Sequence, residues 1–117
     1  AVGLQLSHEK LDVYQKAIKF LALAFKLIDS APKGNGSVVD QLKRASQSTV
    51  LNIAEAAGHP SKAKSKHHFA IARGSALECR AALDIFKIVE IGDPNIISEG
   101  KALLVSVVAM LSKMCRN

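Results

Sequence analysis

The chain has no tryptophan, one tyrosine and four phenylalanines among its 117 residues. Alanine and aliphatic residues supply most of its apolar content, which is typical of closely packed helices and not of a sheet sandwich. Its two cysteines, Cys79 and Cys115, lack the Cys-x-x-Cys spacing of a zinc knuckle or a redox pair. Free thiols of this kind fit a reducing cytoplasm.

Long apolar runs are also lacking, and no segment is predicted to be long enough to span a membrane. Residues 1–10 do not show the charged-then-apolar order of a signal peptide. The sequence therefore predicts a cytoplasmic protein without a membrane partner.

Basic residues outnumber acidic ones by 16 to 10, which gives a formal net charge of +6. Such a balance favours nucleic acid, an acidic protein or another anionic surface as partner, but it does not specify a fold. A length of 117 residues corresponds to one domain with a real core.

Proline and glycine divide the chain at 31–36, 58–60 and 92–94. The segments between these breaks predict helices at about 12–30, 37–58, 61–91 and 94–115, with N-caps at Asp12, Ser37, Ser61 (or later at Ser65) and Asp93. Residues 4–10 either extend the first helix or form an arm. Four amphipathic helices with short connections predict an all-α fold, an antiparallel up-down-up-down four-helix bundle over 1–117.

Core faces follow from steps of three and four residues. In the second helix this line is Val39, Leu42, Ser46, Thr49, Ile53 and Ala56. In the third helix we place it at Ile71, Ser75, Glu78, Ala82, Ile85 and Val89. Phe69, Leu83 and Leu51 then fall outside the core faces, and several such exposed apolar residues predict a homo-oligomer interface.

A buried Glu78 needs a partner, because an unpaired buried carboxylate costs several kcal/mol. The second helix offers a polar strip of Gln41, Arg44, Ser48, Asn52 and Glu55. We therefore predict a structural polar network that fixes helix register. Its members are Asn52, Glu55, Ser75 and Glu78, with Arg44 as a further candidate.

An alternative assigns Glu55 and Glu78 to acid–base catalysis or to half of a metal site. Di-metal bundles carry Glu-x-x-His repeats, whereas Gly58 and Ala81 stand three residues after these glutamates. The sequence thus favours no catalytic residue and no metal.

The motifs Gln-Leu-x-Arg-Ala-x-x-Ser-x-x-x-Asn-Ile-Ala-Glu from Gln41 and Ile-Ala-x-Gly-Ser-x-x-Glu from Ile71 resemble the four-helix-bundle family of 23S rRNA-intervening-sequence proteins. Leu11 to Ala17 is similar to that family's opening motif. The chain departs at Ala56, where the family usually has glycine, and at His59, where arginine is common. The resemblance implies a bacterial homopentamer. Related bundles are accessory proteins of diversity-generating retroelements and bind reverse transcriptase and nucleic acid.

A basic stripe is predicted on the third helix, opposite the core line proposed above. Lys66, Arg73, Arg80 and Lys87 are seven residues apart and so lie nearly along the helix axis. The predicted nucleic-acid-binding set adds Lys62, Lys64, Lys43 and Arg44. Because no aromatic platform accompanies the stripe, we expect contacts to backbone phosphates and not base readout. The alternative is a solvated face that only aids solubility.

Other chemistry is poorly supported. His67 and His68 are adjacent on a helix and point about 100° apart, so they cannot chelate one ion. Serines lack a Gly-x-Ser-x-Gly context, and Gly34-Asn35-Gly36 lacks the third glycine of a dinucleotide fingerprint. No cofactor is expected.

The sequence therefore predicts a non-enzymatic, oligomeric accessory protein that binds RNA or DNA backbone. A nucleic-acid-processing protein such as a reverse transcriptase, or another acidic protein, is a further possible partner. Two alternatives remain: a pure assembly module, and a small enzyme that uses Glu55 and Glu78.

Overall fold

A computed structural model describes residues 7–116 as four α-helices and no strand. They are α1 (His8–Ser30), α2 (Gly36–Gly58), α3 (Lys62–Ile88) and α4 (Pro94–Arg116). Each helix packs against two others: α1 and α3 both contact α2 and α4. With three short connections, this packing confirms the predicted four-helix bundle, in up-down-up-down order.

The first two helices begin earlier than predicted. α1 starts at His8 and not at Asp12, because the Ser7 hydroxyl accepts a hydrogen bond of 3.3 Å from the Lys10 amide and caps the helix. α2 starts at Gly36, before the predicted cap Ser37, and its N-cap residue makes no side-chain cap bond.

The last two helices have the expected N-caps. Ser61 accepts a hydrogen bond of 3.3 Å from the Lys64 amide, and Asp93 accepts one of 2.8 Å from the Asn95 amide. Both caps satisfy backbone donors that the first helical turn leaves unpaired.

The third helix ends at Ile88, three residues before the predicted end at 91. The Ile91 amide donates to the Phe86 carbonyl oxygen (3.0 Å) and the Glu90 amide to that of Lys87 (3.2 Å). This is a Schellman motif, in which a left-handed residue reverses the chain. Glu90 occupies that position with φ 58°, and Ile91 returns to the core.

The core face of α3 differs from the predicted one. The buried line is Phe69, Ala72, Ala76, Cys79, Leu83 and Phe86, with Ser75 and Ala82 beside it. The predicted members Ile71, Glu78, Ile85 and Val89 are exposed. The prediction that Phe69 and Leu83 lie outside the core is therefore wrong. Burying Phe69 and Leu83 stabilises the fold more than burying Glu78 would, because buried apolar area supplies most of the stabilisation.

The core face of α2 matches the prediction. Leu42, Ser46, Thr49, Ile53 and Ala56 are buried, and Leu51 is 67% exposed as expected. Both α2 and α3 bury many small side chains, and these two helices form the most extensive contact in the bundle.

The fourth helix is more apolar than expected. Pro94–Arg116 is long enough to cross a membrane and contains an 18-residue window with mean hydropathy 1.4. The prediction that no apolar segment is long enough to span a membrane is therefore wrong, as judged by the length and composition of α4. Core helices of bundles meet the same criterion, and α4, which packs against α1 and α3, buries Ile97, Leu104 and Leu111.

Candidate nucleic-acid interface

The polar side chains between α2 and α3 form two separate groups and not one network. In the first group, the hydroxyls of Ser48 and Ser75 are 2.8 Å apart. Asn52 donates from its side-chain amide to the Ser48 carbonyl oxygen (2.9 Å) and hydroxyl (3.1 Å). Its own carbonyl oxygen lies 3.1 Å from Nδ1 of His68. Ser48 thus links the predicted members Asn52 and Ser75, and His68 extends the chain.

The second group surrounds Glu78 at the surface. Gln41 donates from Nε2 to Oε2 of Glu78 (2.7 Å), and Arg44 donates to Oε1 of Gln41 (3.4 Å). Glu78 is exposed and needs no buried partner. Glu55 is also exposed and makes no hydrogen bond or ion pair within residues 7–116. The prediction that one network joins both glutamates is wrong, because water already solvates the two carboxylates.

The basic stripe (Lys66, Arg73, Arg80 and Lys87) runs along the edge of α3 that adjoins α4. The stripe flanks the buried line of α3. The prediction that it lies opposite the core line is therefore wrong. Arg73 donates from Nε to the Ser112 hydroxyl of α4 at 2.6 Å. Lys66 lines a groove that Met114 of α4 also lines, and Lys87 lines one with Lys101.

The predicted binding set therefore divides between two edges of α3. Lys62 shares a groove with Lys66, and Lys64 is exposed on the first turn of α3. Lys43 and Arg44 lie instead on α2, where Arg44 lines a groove with Ile85 on the opposite edge of α3. One flat phosphate-binding surface cannot use both edges of the same protomer.

No stripe residue forms an ion pair within residues 7–116, although Arg80 and Lys87 both lie near the carboxylate of Asp84 and help to lower its pKa. The ion pairs among residues 7–116 are Lys16–Asp12, Lys101–Asp84 and Lys113–Glu9, and none includes a stripe residue. The Lys101 ammonium beside Asp84 lowers the pKa of that carboxyl. Arg80 and Lys87 are exposed, whereas Lys66 and Arg73 are half-buried.

Three histidines meet at the turn between α2 and α3, a feature that spacing along the sequence did not reveal. The ring centroids of His59 and His68 are 6.2 Å apart with planes 25° from parallel, and those of His67 and His68 are 5.8 Å apart. We call these three the histidine cluster. His59 comes from the other side of the turn, so only the folded chain brings it to His68.

Metal and thiol chemistry find little support in the described chain. Within residues 7–116, no three histidine, cysteine, aspartate or glutamate side chains are grouped closely enough to hold a metal ion. Burial raises the pKa of the Cys79 thiol to about 12, with a smaller opposing effect of the nearby Thr49 hydroxyl. Cys115 is half-buried, and both thiols are free.

The outward face of α3 combines exposed apolar and small residues with the exposed carboxylates of Glu78 and Asp84. Ile71, Leu77, Ile85 and Ile88 are 39–79% exposed. Ala70, Gly74 and Ala81 are exposed between them. A Cβ atom added at Gly74 would meet nothing within 4 Å. We call this set the outer face of α3.

The fold and the surface together define a basic all-helical bundle with a row of basic side chains, free of ion pairs, along one helix edge. The family model of the 23S rRNA-intervening sequence protein matches residues 9–113. The chain belongs to this family. No curated protein matches it significantly.

Proposed function

We propose that the protein is a non-enzymatic accessory protein that binds the phosphate backbone of RNA or DNA along the basic stripe. The observation that carries this proposal is the absence of any ion pair to the four stripe residues within residues 7–116. Unpaired basic side chains in a row attract a polyanion and release its counterions on binding. Membership of a family associated with ribosomal RNA genes supports the same conclusion.

The stripe has dimensions that suit a nucleic-acid backbone. From Lys66 to Lys87 it covers 21 helical steps, or about 32 Å at 1.5 Å per residue. This is about one turn of duplex DNA. Arg73 is held by Ser112 through Nε, and its terminal nitrogens make no other hydrogen bond within the described chain. A planar guanidinium held in this way suits bidentate hydrogen bonding to phosphate oxygens.

Fluorescence anisotropy with a structured RNA and a duplex DNA, titrated across salt concentration, tests the proposal. Four phosphate contacts predict that log affinity falls with log salt with a slope of about −3 to −4 per protomer on duplex DNA. Charge reversal at Arg80→Glu with Lys87→Glu should reduce that slope by about 2 and weaken binding to both ligands. A second pair, Arg73→Glu with Arg80→Glu, should behave in the same way.

The matched control is Lys43→Glu with Arg44→Glu, which makes the same change of charge on α2, away from the stripe. We expect this variant to retain the wild-type salt slope apart from a small long-range effect. Equal losses from both edges would show that net charge, and not the stripe, governs affinity. A weak and flat response of the wild type to salt would reject nucleic-acid binding.

A second candidate function is assembly, which the outer face of α3 favours. Exposed large side chains separated by Ala70, Gly74 and Ala81 suit the close approach of another helix. We propose a homo-oligomer through this face, and the resemblance to the family favours a pentamer. Such an assembly would repeat the basic stripe around an axis. A reverse transcriptase or another acidic protein is the protein partner whose charge would complement that surface.

Light scattering at micromolar concentration tests the assembly. Leu77→Glu with Ile85→Glu should reduce the wild-type mass to that of a monomer, because burying two carboxylates at an interface is costly. Val105→Glu, at an exposed apolar position on α4, is the control and should keep the wild-type mass. A monomeric wild type would reject the oligomer.

A further inference from the structure

An open groove between α3 and α4 has an arginine on each wall. Arg73 of α3 and Arg116 of α4 line it together with Ala70, Ser112 and Cys115, and its volume is about 380 Å³. Pockets of this size hold small ligands. Within residues 7–116, no acidic side chain lines the groove, and neither arginine forms an ion pair. The groove therefore presents two formal positive charges that no lining carboxylate offsets.

Ser112 connects the two arginines. Its hydroxyl accepts a hydrogen bond of 2.6 Å from Nε of Arg73. Arg116 follows Ser112 by four residues, so the two side chains are neighbours on the surface of α4. Arg73 is half-buried, whereas Arg116 is exposed. The bond to Ser112 thus holds the guanidinium group of Arg73 against the part of α4 from which Arg116 extends.

The bond to Ser112 occupies only one of the donors of Arg73. A guanidinium group has five N–H donors in one plane, and Nε supplies a single one of them. The four donors on the terminal nitrogens make no hydrogen bond within residues 7–116. Two of them can contact two oxygens of one phosphate group, and Arg116 can donate to the remaining oxygen. The groove therefore suits a single phosphate group bound from both helices.

The charge of the groove distinguishes two kinds of phosphate group. A backbone phosphodiester carries one negative charge. A terminal phosphomonoester carries about −1.5 to −2 near neutral pH and has three acceptor oxygens. Two guanidinium groups balance the charge of the monoester and exceed that of the diester. The pair of arginines therefore favours a phosphate at the end of a strand over one within it.

A second groove between α3 and α4 lacks this charge pattern. It lies at the turn between the two helices, where Lys87 and Lys101 line it, but Glu90 lines it as well. Lys101 is also paired with Asp84. A phosphate dianion placed there would meet the carboxylate of Glu90 and compete with that of Asp84. The groove with the two arginines is therefore the better phosphate site.

We propose that the groove between Arg73 and Arg116 binds the phosphomonoester at the end of a nucleic-acid strand, with Ser112 as a positioning residue for Arg73. This inference rests on the proposed function and adds a strand-end site to the backbone contacts of the stripe. Arg80 and Lys87, which lie further along α3, then contact phosphodiesters of the same strand. The protein thus binds strands that begin with a phosphate more tightly than strands that begin with a hydroxyl group.

Fluorescence anisotropy with the full chain tests the inference. The probe is one oligonucleotide, labelled at its 3′ end and prepared with either a 5′-phosphate or a 5′-hydroxyl group. We expect the wild type to bind the phosphorylated strand about tenfold more tightly, since charge-assisted hydrogen bonds to one phosphate have about this effect. Inorganic phosphate should abolish the preference, whereas chloride at matched ionic strength should leave most of it.

Two variants remove the arginine contacts separately. Arg73→Lys keeps the charge but loses the planar fork, and Arg116→Gln removes the second guanidinium group. Each should reduce the affinity ratio of the two strands to about twofold or less. The matched control is Lys113→Gln, which removes one charge from α4 at a position that is paired with Glu9 of α1 and does not line the groove. It should keep the wild-type ratio.

The role of Ser112 has its own pair of variants. Ser112→Ala should lower the affinity ratio, because Arg73 then loses the acceptor that holds its guanidinium group in place. Ser112→Thr should restore the ratio, because threonine retains the hydroxyl. A merely structural serine would change the melting temperature and not the ratio. Melting temperatures of all variants establish that they fold.

The outcomes separate the strand-end site from the stripe. Equal affinity of the wild type for both strands, with salt-dependent binding intact, overturns the strand-end site alone. A preference that survives in both Arg73→Lys and Arg116→Gln also overturns it. A preference that these two variants lose and Lys113→Gln retains supports the inference, even if charge reversal at Arg80 and Lys87 has no effect and the stripe is rejected. A wild type that binds neither strand rejects both proposals.

Discussion

The hydroxyl of Ser65 donates a hydrogen bond of 2.7 Å to the carbonyl oxygen of Ala56 across the α2–α3 turn. Ala56 lies in the last turn of α2, where carbonyl oxygens lack helical partners. The hydroxyl is buried near the start of α3, so one bond joins the end of one helix to the beginning of the next.

We expect Ser65→Ala to lower the free energy of unfolding by about 1 kcal/mol, because the Ala56 carbonyl loses its strong donor in a buried site. The remaining donor, the His59 amide, is 3.4 Å away and weaker. Urea denaturation measures the difference. Ser98→Ala, at an exposed position of α4, should leave stability within about 0.5 kcal/mol of wild type. Equal effects of the two variants would contradict the assigned bond.

The turn after α3 gives a pair of opposite predictions. Glu90→Gly should raise the free energy of unfolding by up to about 1 kcal/mol, since a left-handed φ of 58° is unfavourable for a residue with a Cβ atom. Gly92→Ala should lower it, because φ is 84° there and the new Cβ would lie 2.9 Å from Cδ2 of Leu27. Thermal unfolding of both variants checks the signs, and stabilisation by Gly92→Ala would contradict the described turn.

The two thiols should differ in their reactivity toward a thiol reagent. Cys115 should react with a thiol reagent in the native protein, whereas Cys79 should react only after unfolding, because burial keeps it protonated. The number of thiols modified per chain, measured before and after addition of denaturant, tests this. Rapid reaction of both native thiols would show that Cys79 is not enclosed.

The raised pKa of Cys79 also predicts a pH dependence of stability. The unfolded thiol ionises near pH 9.0 and the folded one near 12. This group's contribution is therefore complete below pH 9 and is lost as pH rises toward 12, at up to about 1.4 kcal/mol per pH unit. Unfolding at pH 8 and pH 10 should show a smaller alkaline loss for Cys79→Ala than for Cys115→Ala.

Gly74 separates the stability of the protomer from that of the assembly. Gly74→Ala should stabilise the isolated protomer by up to about 1 kcal/mol, because alanine favours a helix and its Cβ has free space. If another helix packs on the outer face of α3, the same Cβ should weaken the oligomer. Denaturation at low protein concentration and light scattering at high concentration distinguish the two effects. If Gly74→Ala stabilises the protomer and does not weaken the oligomer, Gly74 lies outside any interface.

Much of the fold could be predicted because proline and glycine separate four long periodic segments. The face of α3 could not be read from spacing alone. Steps of three and four residues can be drawn through Glu78 as easily as through Cys79. The predicted line through Ser75 and Glu78 is therefore shifted by about one residue around the helix from the buried line. The size of Phe69, Leu83 and Phe86 was the available signal, since large apolar side chains gain most from burial.

The candidate site was harder to predict for a related reason. The seven-residue spacing correctly placed the stripe residues on one line, but it did not show which neighbour that line adjoins. Contacts such as Arg73 with Ser112, or His59 with His68, join residues whose distance depends on the packing and on the turn at 59–61. Sequence periodicity describes one helix at a time and contains no information on such pairs.

The close packing of α2 on α3 also bears on the order of folding. These helices are joined by only three residues and share the largest contact in the bundle, so bringing them together sacrifices little chain entropy. We expect their hairpin to form in the transition state. Substitutions at Ala45 or Ala76 should then slow refolding, whereas a substitution at Leu111 of α4 should mainly accelerate unfolding. The residues that hold the histidine cluster in place would thus be among the first to meet.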